Sequence, residues 1–370
     1  DTYYEKLKTV SVSPQLIQQY SQLKIVYSPL HGTGYKVLPE ALKRFGFQHV
    51  IDVYPQNIPD GNFPTVVSPN PEEKAGLELT IRKAIETDAD LLMATDPDAD
   101  RLGVGYKAKT GEYELLNGNQ TAAILTYYLL EKRAEKKALK GNEMVVKTIV
   151  TSDVLSDIAA FYGVKIFDVL TGFKYIADII LKYEGQLEYI CGGEESYGFL
   201  AGDFIRDKDG VMTACLFAEA TAWAASMGKT PGDLLVDIAI KFGLYREGLV
   251  SVTKKGIEGM QEISAMMDSY RNEIPQTMAG KKVVKVHDYK MSTTKDILAG
   301  SVSEILLPKS NVIQYLLEDG SKITMRPSGT EPKIKFYFSV KGKPKSAAEF
   351  EDQCNILDSF IQELKEEMGL

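Results

Sequence analysis

The sequence predicts an α/β protein: two successive doubly wound mixed α/β domains followed by a C-terminal α+β domain. Three observations carry this. Short apolar runs alternate with helical periodicity through the first part of the chain, as crossover-connected strands require. The same rhythm then starts again and runs through a second block of similar size, with no sequence repeat at a fixed period. Near Leu244 to Leu249 the pattern changes and strands dominate. At 370 residues the chain suits two or three domains. The expected boundaries are 1–116, 117–245 and 246–370.

In the first block, Lys24 to Tyr27 reads as a strand and Tyr35 to Phe45 as a helix, with Val37, Leu38, Ala41, Leu42 and Phe45 on one face. His49 to Tyr54 is a strand, Glu72 to Glu86 a helix and Asp90 to Thr95 a strand, so a parallel sheet is expected. Ligands of such sheets bind beyond the carboxyl ends of the strands. In the second block, helices are expected over Leu116 to Ala138, Thr151 to Tyr162, Phe173 to Tyr183 and Gly210 to Met227. Its strands are Met144 to Val150, Lys165 to Leu170 and Leu187 to Cys191. The third block has strands Leu249 to Thr253, Lys282 to His287, Asn311 to Leu317, Lys322 to Met325 and Lys333 to Val340. Helices Gly256 to Tyr270 and Ala347 to Glu366 flank them.

Lys and Arg total 43 against 51 Asp and Glu, a net charge of −8. An acidic, unclustered surface argues against nucleic-acid or anionic-membrane partners, while leaving room for a local basic pocket. Cys191, Cys215 and Cys354 form neither a zinc spacing nor a disulfide framework, so a reducing cytoplasm is the expected location. The most apolar window, Val211 to Met227, is interrupted by Thr213, Glu219, Thr221 and Ser226 and reads as a buried helix rather than a membrane span. The chain starts at Asp1 without an initiator Met, and is expected to be part of a longer polypeptide.

Four motifs could carry chemistry. Asp96-Pro97-Asp98-Ala99-Asp100-Arg101 follows the apolar strand Leu91 to Thr95. Three alternating carboxylates converging from one turn repel unless a cation joins them, and all-oxygen ligands favour Mg²⁺ or Ca²⁺. An EF-hand is excluded, because Arg101 and Lys107 stand where it needs Gly and Glu. The bland alternative is a solvated acidic turn. Arg326-Pro327-Ser328-Gly329-Thr330-Glu331-Pro332, with Lys335 beyond it, can nest an anion or be a plain hairpin. Gly192-Gly193-Glu194-Glu195-Ser196-Tyr197-Gly198 can bond vicinal hydroxyls or be a Gly-rich turn. In Arg206-Asp207-Lys208-Asp209-Gly210, Asp209 can cap the next helix. Lys208 beside that N-terminus could be a proton-transfer group of lowered pKa. His31-Gly32-Thr33-Gly34 fails the dinucleotide fingerprint at Val37, and His31 reads equally as a turn residue. No Ser-His-Asp or Cys-His arrangement stands out.

Together and in this order, the acidic loop, Thr171-Gly172-Phe173-Lys174, Gly193-Glu194-Glu195-Ser196, the Arg206 to Gly210 motif and the Arg326 to Thr330 motif resemble the α-D-phosphohexomutase family of phosphoglucomutases and phosphomannomutases. Ser28-Pro29-Leu30-His31-Gly32-Thr33-Gly34 and Pro69-Asn70-Pro71-Glu72-Glu73 resemble its second-domain signatures. The resemblance spans essentially the whole chain. It implies Asp96, Asp98 and Asp100 as Mg²⁺ ligands, Arg101 as the arginine closing that loop and Lys208 as an acid–base residue. It further implies Thr171, Gly172, Phe173, Glu194 and Ser196 as sugar contacts. Arg326, Ser328, Gly329, Thr330 and Lys335 would be phosphate contacts, Lys335 standing where many relatives have Arg.

The family mechanism implied is two phosphoryl transfers through a phosphoserine and a bisphosphate such as glucose 1,6-bisphosphate. The serine belongs to a Thr-Ala-Ser-His-Asn-Pro type segment of an N-terminal domain, and nothing here matches it. The chain therefore resembles the last three domains of such an enzyme. A further N-terminal domain of roughly 150–200 residues is the expected partner, and the chain alone is expected to be inactive. Among phosphosugar substrates, glucose 1-phosphate is the first expectation, mannose 1-phosphate the second and pentose phosphates the third. Rival readings are a haloacid-dehalogenase-type phosphatase, in which the second and third motifs have no role, and a non-catalytic phosphosugar-binding protein.

Overall fold

Residues 1–329 and 331–370 are described by the computed structural model, and they divide into two units, Asp1–Ile238 and Ala239–Leu370. The first unit opens with α1 (Thr2–Lys8) and α2 (Pro14–Gln19), then β1 (Lys24–Ser28), α3 (Gly34–Phe45), β2 (His49–Asp52), α4 (Glu78–Thr87), β3 (Leu91–Thr95), β4 (Leu102–Lys107) and β5 (Tyr113–Leu116). The sheet order is β2-β1-β3-β4-β5; β1 pairs in parallel with β2 and β3, whereas β4 and β5 return antiparallel. The sequence reading expects a parallel sheet, and its three strands pair that way; it does not foresee the antiparallel β4 and β5. It missed that only residues 96–101 separate β3 from β4, too few for a crossover. The helix expected over Glu72 to Glu86 also starts later: a short 3₁₀ turn at Lys74–Leu77 leads into α4.

The second sheet contains β6 (Glu143–Thr148), β7 (Lys165–Val169), β8 (Glu188–Gly193) and β9 (Phe199–Ala201) in the order β7-β6-β8-β9. Its helices are α5 (Gly118–Glu135), α6 (Val154–Phe161), α7 (Phe173–Lys182) and α8 (Gly210–Ser226), and α9 (Pro231–Phe242) follows. β7 and β8 flank β6 in parallel, and β9 returns antiparallel after five residues. In both sheets a strand's carboxyl end therefore feeds a tight reversal rather than a helix. α5 begins with a reciprocal cap: Asn117 Oδ1 accepts from the Gln120 amide at 2.9 Å, and Gln120 Oε1 accepts from the Asn117 amide at 3.0 Å. α8 is buried on all faces from Gly210 to Ala224 and packs on α2, α3, α5 and β9, as apolar residues on every side of the helix require. Among the described residues, no helix is long and apolar enough to cross a membrane.

The second unit is an antiparallel sheet with helices. It contains β10 (Leu244–Thr253), α10 (Gly256–Asn272), β11 (Thr277–Met278), β12 (Lys281–Asp288), β13 (Thr293–Asp296), β14 (Ser301–Glu304), β15 (Ile313–Leu317), β16 (Lys322–Pro327), β17 (Lys333–Gly342) and α11 (Phe350–Glu367). The order is β10-β17-β16-β15-β12-β13-β14, with β11 paired to β12. Its core joins Phe336, Phe338, Ile323 and Met325 of the sheet to Ile263 and Met267 of α10 and Ile361 and Leu364 of α11. β13 and β14 escape the sequence reading, because β13 is polar and only half-buried and β14 is exposed along its length, so neither shows apolar alternation.

Candidate functional site

The acidic loop is the β3–β4 reversal. Asp96 is buried at the end of β3; its Oδ1 accepts from the amides of Asp100 (3.1 Å) and Arg101 (3.0 Å), and Ala99 turns through a left-handed φ of 61°. This winds the segment so that one carboxylate oxygen from each of Asp96, Asp98 and Asp100 lies within 4.8 Å of the others. Burial, partly opposed by the Arg101 amide and reinforced by the charges of Asp100 and Asp98, pushes the Asp96 carboxyl up to about 7. Such a group of carboxylates is at odds with itself without a cation, and its donors are all oxygen. They suit a hard divalent ion.

Arg101 leaves this loop toward a third element. Its Nη1 lies 3.3 Å from Glu72 Oε1, and its Nε is 3.7 Å from Asp96 and 3.9 Å from Asp100. That Nε is buried without a hydrogen-bond partner. Glu72 had been assigned to a helix in the sequence reading; it lies instead in the turn before the 3₁₀ segment, where it meets Arg101.

The glycine-rich motif is the β8–β9 reversal. Its end is stitched to the acidic loop: Leu102 N donates to Tyr197 O at 3.1 Å, and Arg101 bridges Gly198. Glu194 is buried, and its Oε1 accepts from the Gly172 amide at 2.7 Å. Gly172 has a φ of 118°, which a side chain would strain, so this hydrogen bond depends on glycine. Thr171 and Gly172 are half-exposed, but the Phe173 ring is buried at the start of α7, leaving only its backbone for a ligand. Ser196 is half-exposed in the same reversal. Glu195, which the sequence reading did not single out, accepts from Thr148 Oγ1 at 3.3 Å and Thr151 Oγ1 at 3.5 Å. Below it, Lys147 is fully buried between Asp153 and Asp168, each at 2.7 Å, and ties together the ends of β6 and β7.

Asp209 caps α8 as expected, accepting from the amides of Val211 (2.9 Å) and Met212 (3.0 Å). Lys208 lies along Gly198, where a Cβ would stand 2.6 Å from Lys208 Cδ, and its Nζ donates to Asp100 Oδ2. The expected lowering of the Lys208 pKa is not found. Burial does pull the ammonium down, but the hydrogen bond and charge of Asp100, with Asp207, outweigh it and leave it raised. The helix N-terminus matters less than the carboxylate in direct contact.

In the second unit, Arg326 and Lys335 are directly opposite on β16 and β17. Two like charges so placed repel, and an anion would relieve them. Neither forms an ion pair among the described residues. Ser328 N donates to Lys333 O at 2.7 Å, Ser328 Oγ accepts from Glu331 N at 3.2 Å, and Gly329 is exposed at the tip. Thr330 lies outside the described residues.

Three family models match consecutive stretches: phosphoglucomutase/phosphomannomutase α/β/α domain II over residues 1–109, α/β/α domain III over 117–242 and the C-terminal domain over 273–355. The phosphoglucomutase of Staphylococcus haemolyticus (strain JCSC1435) is 39% identical over 320 residues, covering 86% of this chain and 58% of the relative. The phosphoglucomutase of Staphylococcus aureus (strain USA300) is 38% identical over 341 residues, covering 92% of this chain and 60% of the relative. The chain thus spans less than two thirds of the length of these curated relatives. The fold is shared with Paramecium parafusin, titled a phosphoglucomutase, in its open form (TM-score 0.66, 18% identity, 98% of this chain and 62% of that one). It is also shared with a phosphoglucomutase/phosphomannomutase family protein of Burkholderia thailandensis (TM-score 0.59, 17% identity, 96% and 64%). With its acidic loop, glycine-rich loop and hairpin in the order of those domains, the chain belongs to the phosphoglucomutase/phosphomannomutase family.

Proposed function

We propose that this chain is the metal-, sugar- and phosphate-binding part of a phosphohexomutase, and that by itself it binds a phosphosugar without turning it over. Glucose 1-phosphate and glucose 1,6-bisphosphate are the favoured ligands, since the similar staphylococcal proteins are phosphoglucomutases. The observation that carries this is the convergence of Asp96, Asp98 and Asp100 beside the Nε of Arg101, which is buried and makes no hydrogen bond among the described residues. The three carboxylates would hold one Mg²⁺, which would offset charge on a transferring phosphoryl group. Arg101 offers that group a buried donor. Glu194 and Ser196 would accept from and donate to sugar hydroxyls, next to the backbone of Thr171 to Phe173. Lys208 would move a proton at the reacting hydroxyl once a cation competes for Asp100. A second phosphate needs a second anion site, and the opposed Arg326 and Lys335 with Ser328, Gly329 and Thr330 of the same motif would provide one.

Turnover needs a phosphoserine, and the chain carries no Ser-His-Asn-Pro segment. In this proposal the serine belongs to another domain of the whole protein, which would be a phosphoprotein. A reducing cytoplasm fits three cysteines that are buried and unbridged. Two measurements on the chain as it stands test the reading. Calorimetry should detect glucose 1,6-bisphosphate binding that depends on Mg²⁺, and a coupled glucose 6-phosphate assay should detect no turnover. Absence of Mg²⁺-dependent binding overturns the phosphosugar reading; clear turnover overturns the assignment of the chain as inactive alone.

A further inference from the structure

We infer that His31 is a positioning residue for the metal loop: by clamping the irregular segment that follows β2, it fixes the Gly32-Thr33 backbone against Pro97, between Asp96 and Asp98. The inference rests on the proposed metal site. Residues 53–73 contain no helix or strand, so their placement depends on specific polar anchors. His31 provides four. Its amide donates to Gln56 O (3.0 Å), and its carbonyl accepts from Asp60 N (3.1 Å). Its Nδ1 lies 2.9 Å from Ile58 O. A carbonyl only accepts, so Nδ1 carries the proton. Nε2 is then the acceptor of a hydrogen bond from the Thr65 hydroxyl at 2.8 Å. Gln56 completes the set: its Nε2 donates to Thr65 Oγ1 (3.1 Å), and its Oε1 accepts from Ser28 Oγ (2.7 Å).

This anchorage holds a costly backbone. Leu30 and His31 have φ values of 46° and 64°, in the left-handed region that non-glycine residues seldom occupy. The reversed chain then delivers Gly32 and Thr33 to the acidic loop. Thr33 N donates to Pro97 O at 2.7 Å and Thr33 Oγ1 to the same oxygen at 3.0 Å. A Cβ on Gly32 would lie 2.3 Å from Pro97 Cα, so backbone meets backbone there. Released from its anchors, the Leu30-His31 turn relaxes, and the support under Pro97 goes with it. Asp98, exposed and without an anchor of its own, loses its fixed relation to Asp96 and Asp100.

Mn²⁺ binding to the whole chain, followed by electron paramagnetic resonance, tests this. The native chain should bind one Mn²⁺, and Asp98→Asn should abolish binding. His31→Leu should weaken it about tenfold, the low end of what loss of an outer partner costs a metal site. Thr65→Val, which removes the Nε2 partner and the Gln56 acceptor but leaves the Nδ1 anchor to Ile58 in place, should weaken it less. His31→Asn keeps a donor near the Nδ1 position and tolerates the left-handed φ, and should restore most of the affinity. Leu38→Ala, a core truncation in α3, should lower stability and leave the Mn²⁺ affinity native. Equal affinity in His31→Leu and native chain overturns the positioning role while the metal site stands. A loss in Leu38→Ala matching that in His31→Leu overturns it too, since stability alone would then explain both. Failure of the native chain to bind Mn²⁺ overturns the metal reading and this inference with it.

Discussion

Asp98 projects from its loop into solvent, while Asp96 is buried and bonded to two amides. Their substitutions should therefore separate function from stability. Asp98→Asn removes a repelling charge and no structural hydrogen bond, so the metal-free unfolding midpoint should hold or rise while Mn²⁺ binding is lost; a urea titration with and without the ion checks both. Lys208 makes a second residue-scale case. Its stem crosses Gly198, and only the absence of a Cβ lets Nζ reach Asp100. Gly198→Ala should push this flexible side chain aside rather than unfold the chain, freeing the amine. Amine-reactive labelling read by mass spectrometry should then modify Lys208 faster than in the native chain, and an unchanged rate would argue against the contact. These carboxylates and the lysine were legible in the sequence because the motif itself lists them. Glu72 and Glu195 were not: their partners Arg101, Thr148 and Thr151 are 29, 47 and 44 residues away.

At the scale of elements, the strongly periodic helices and fully buried strands were readable. β3 and β6 are apolar along their length apart from the polar residues at their ends and Lys147, and α8 needs burial on every face. The antiparallel returns β4 and β9 escaped notice, because a short reversal leaves no periodic signature and was read only as a motif. The α5 cap shows what local sequence can specify: Asn117 and Gln120 satisfy each other's amides without help from elsewhere. Asn117→Ala should cost about 1 kcal/mol, visible as a lower urea midpoint at unchanged m. No change in midpoint would mean that solvent satisfies those amides equally well.

At the scale of the first unit, a buried carboxylate holds distant chain segments together. Glu219 on α8 accepts from the amides of Val12 (3.0 Å) and Ser13 and from Tyr128 OH (2.8 Å), and its Oε2 has no partner. Burial, partly offset by these hydrogen bonds, raises its pKa above the ordinary range of about 4.3. The folded state thus binds the proton more tightly than the unfolded state. Stability falls as pH rises from the unfolded value through the raised folded value, and is level beyond it. Glu219→Gln lacks this proton, so its stability relative to the native chain should improve across that interval as pH rises. Parallel denaturation curves from pH 4 to 8 measure it; a constant difference would show that Glu219 does not titrate there.

The residues at the heads of the motifs, the capping pairs and the predominantly apolar segments were determined by the sequence alone, since each acts over a few neighbouring positions through periodicity, turn chemistry or charge. Tertiary structure decided the rest. It turned Lys208 from an expected proton-transfer group of lowered pKa into a counter-ion of Asp100 with its pKa raised. It gave Arg101 its partner Glu72 and made His31 the anchor of residues 56–65. The physical reason is common to all three: hydrogen bonds and ion pairs act over about 3–4 Å, and no spacing along the chain records which remote atoms folding brings within that range.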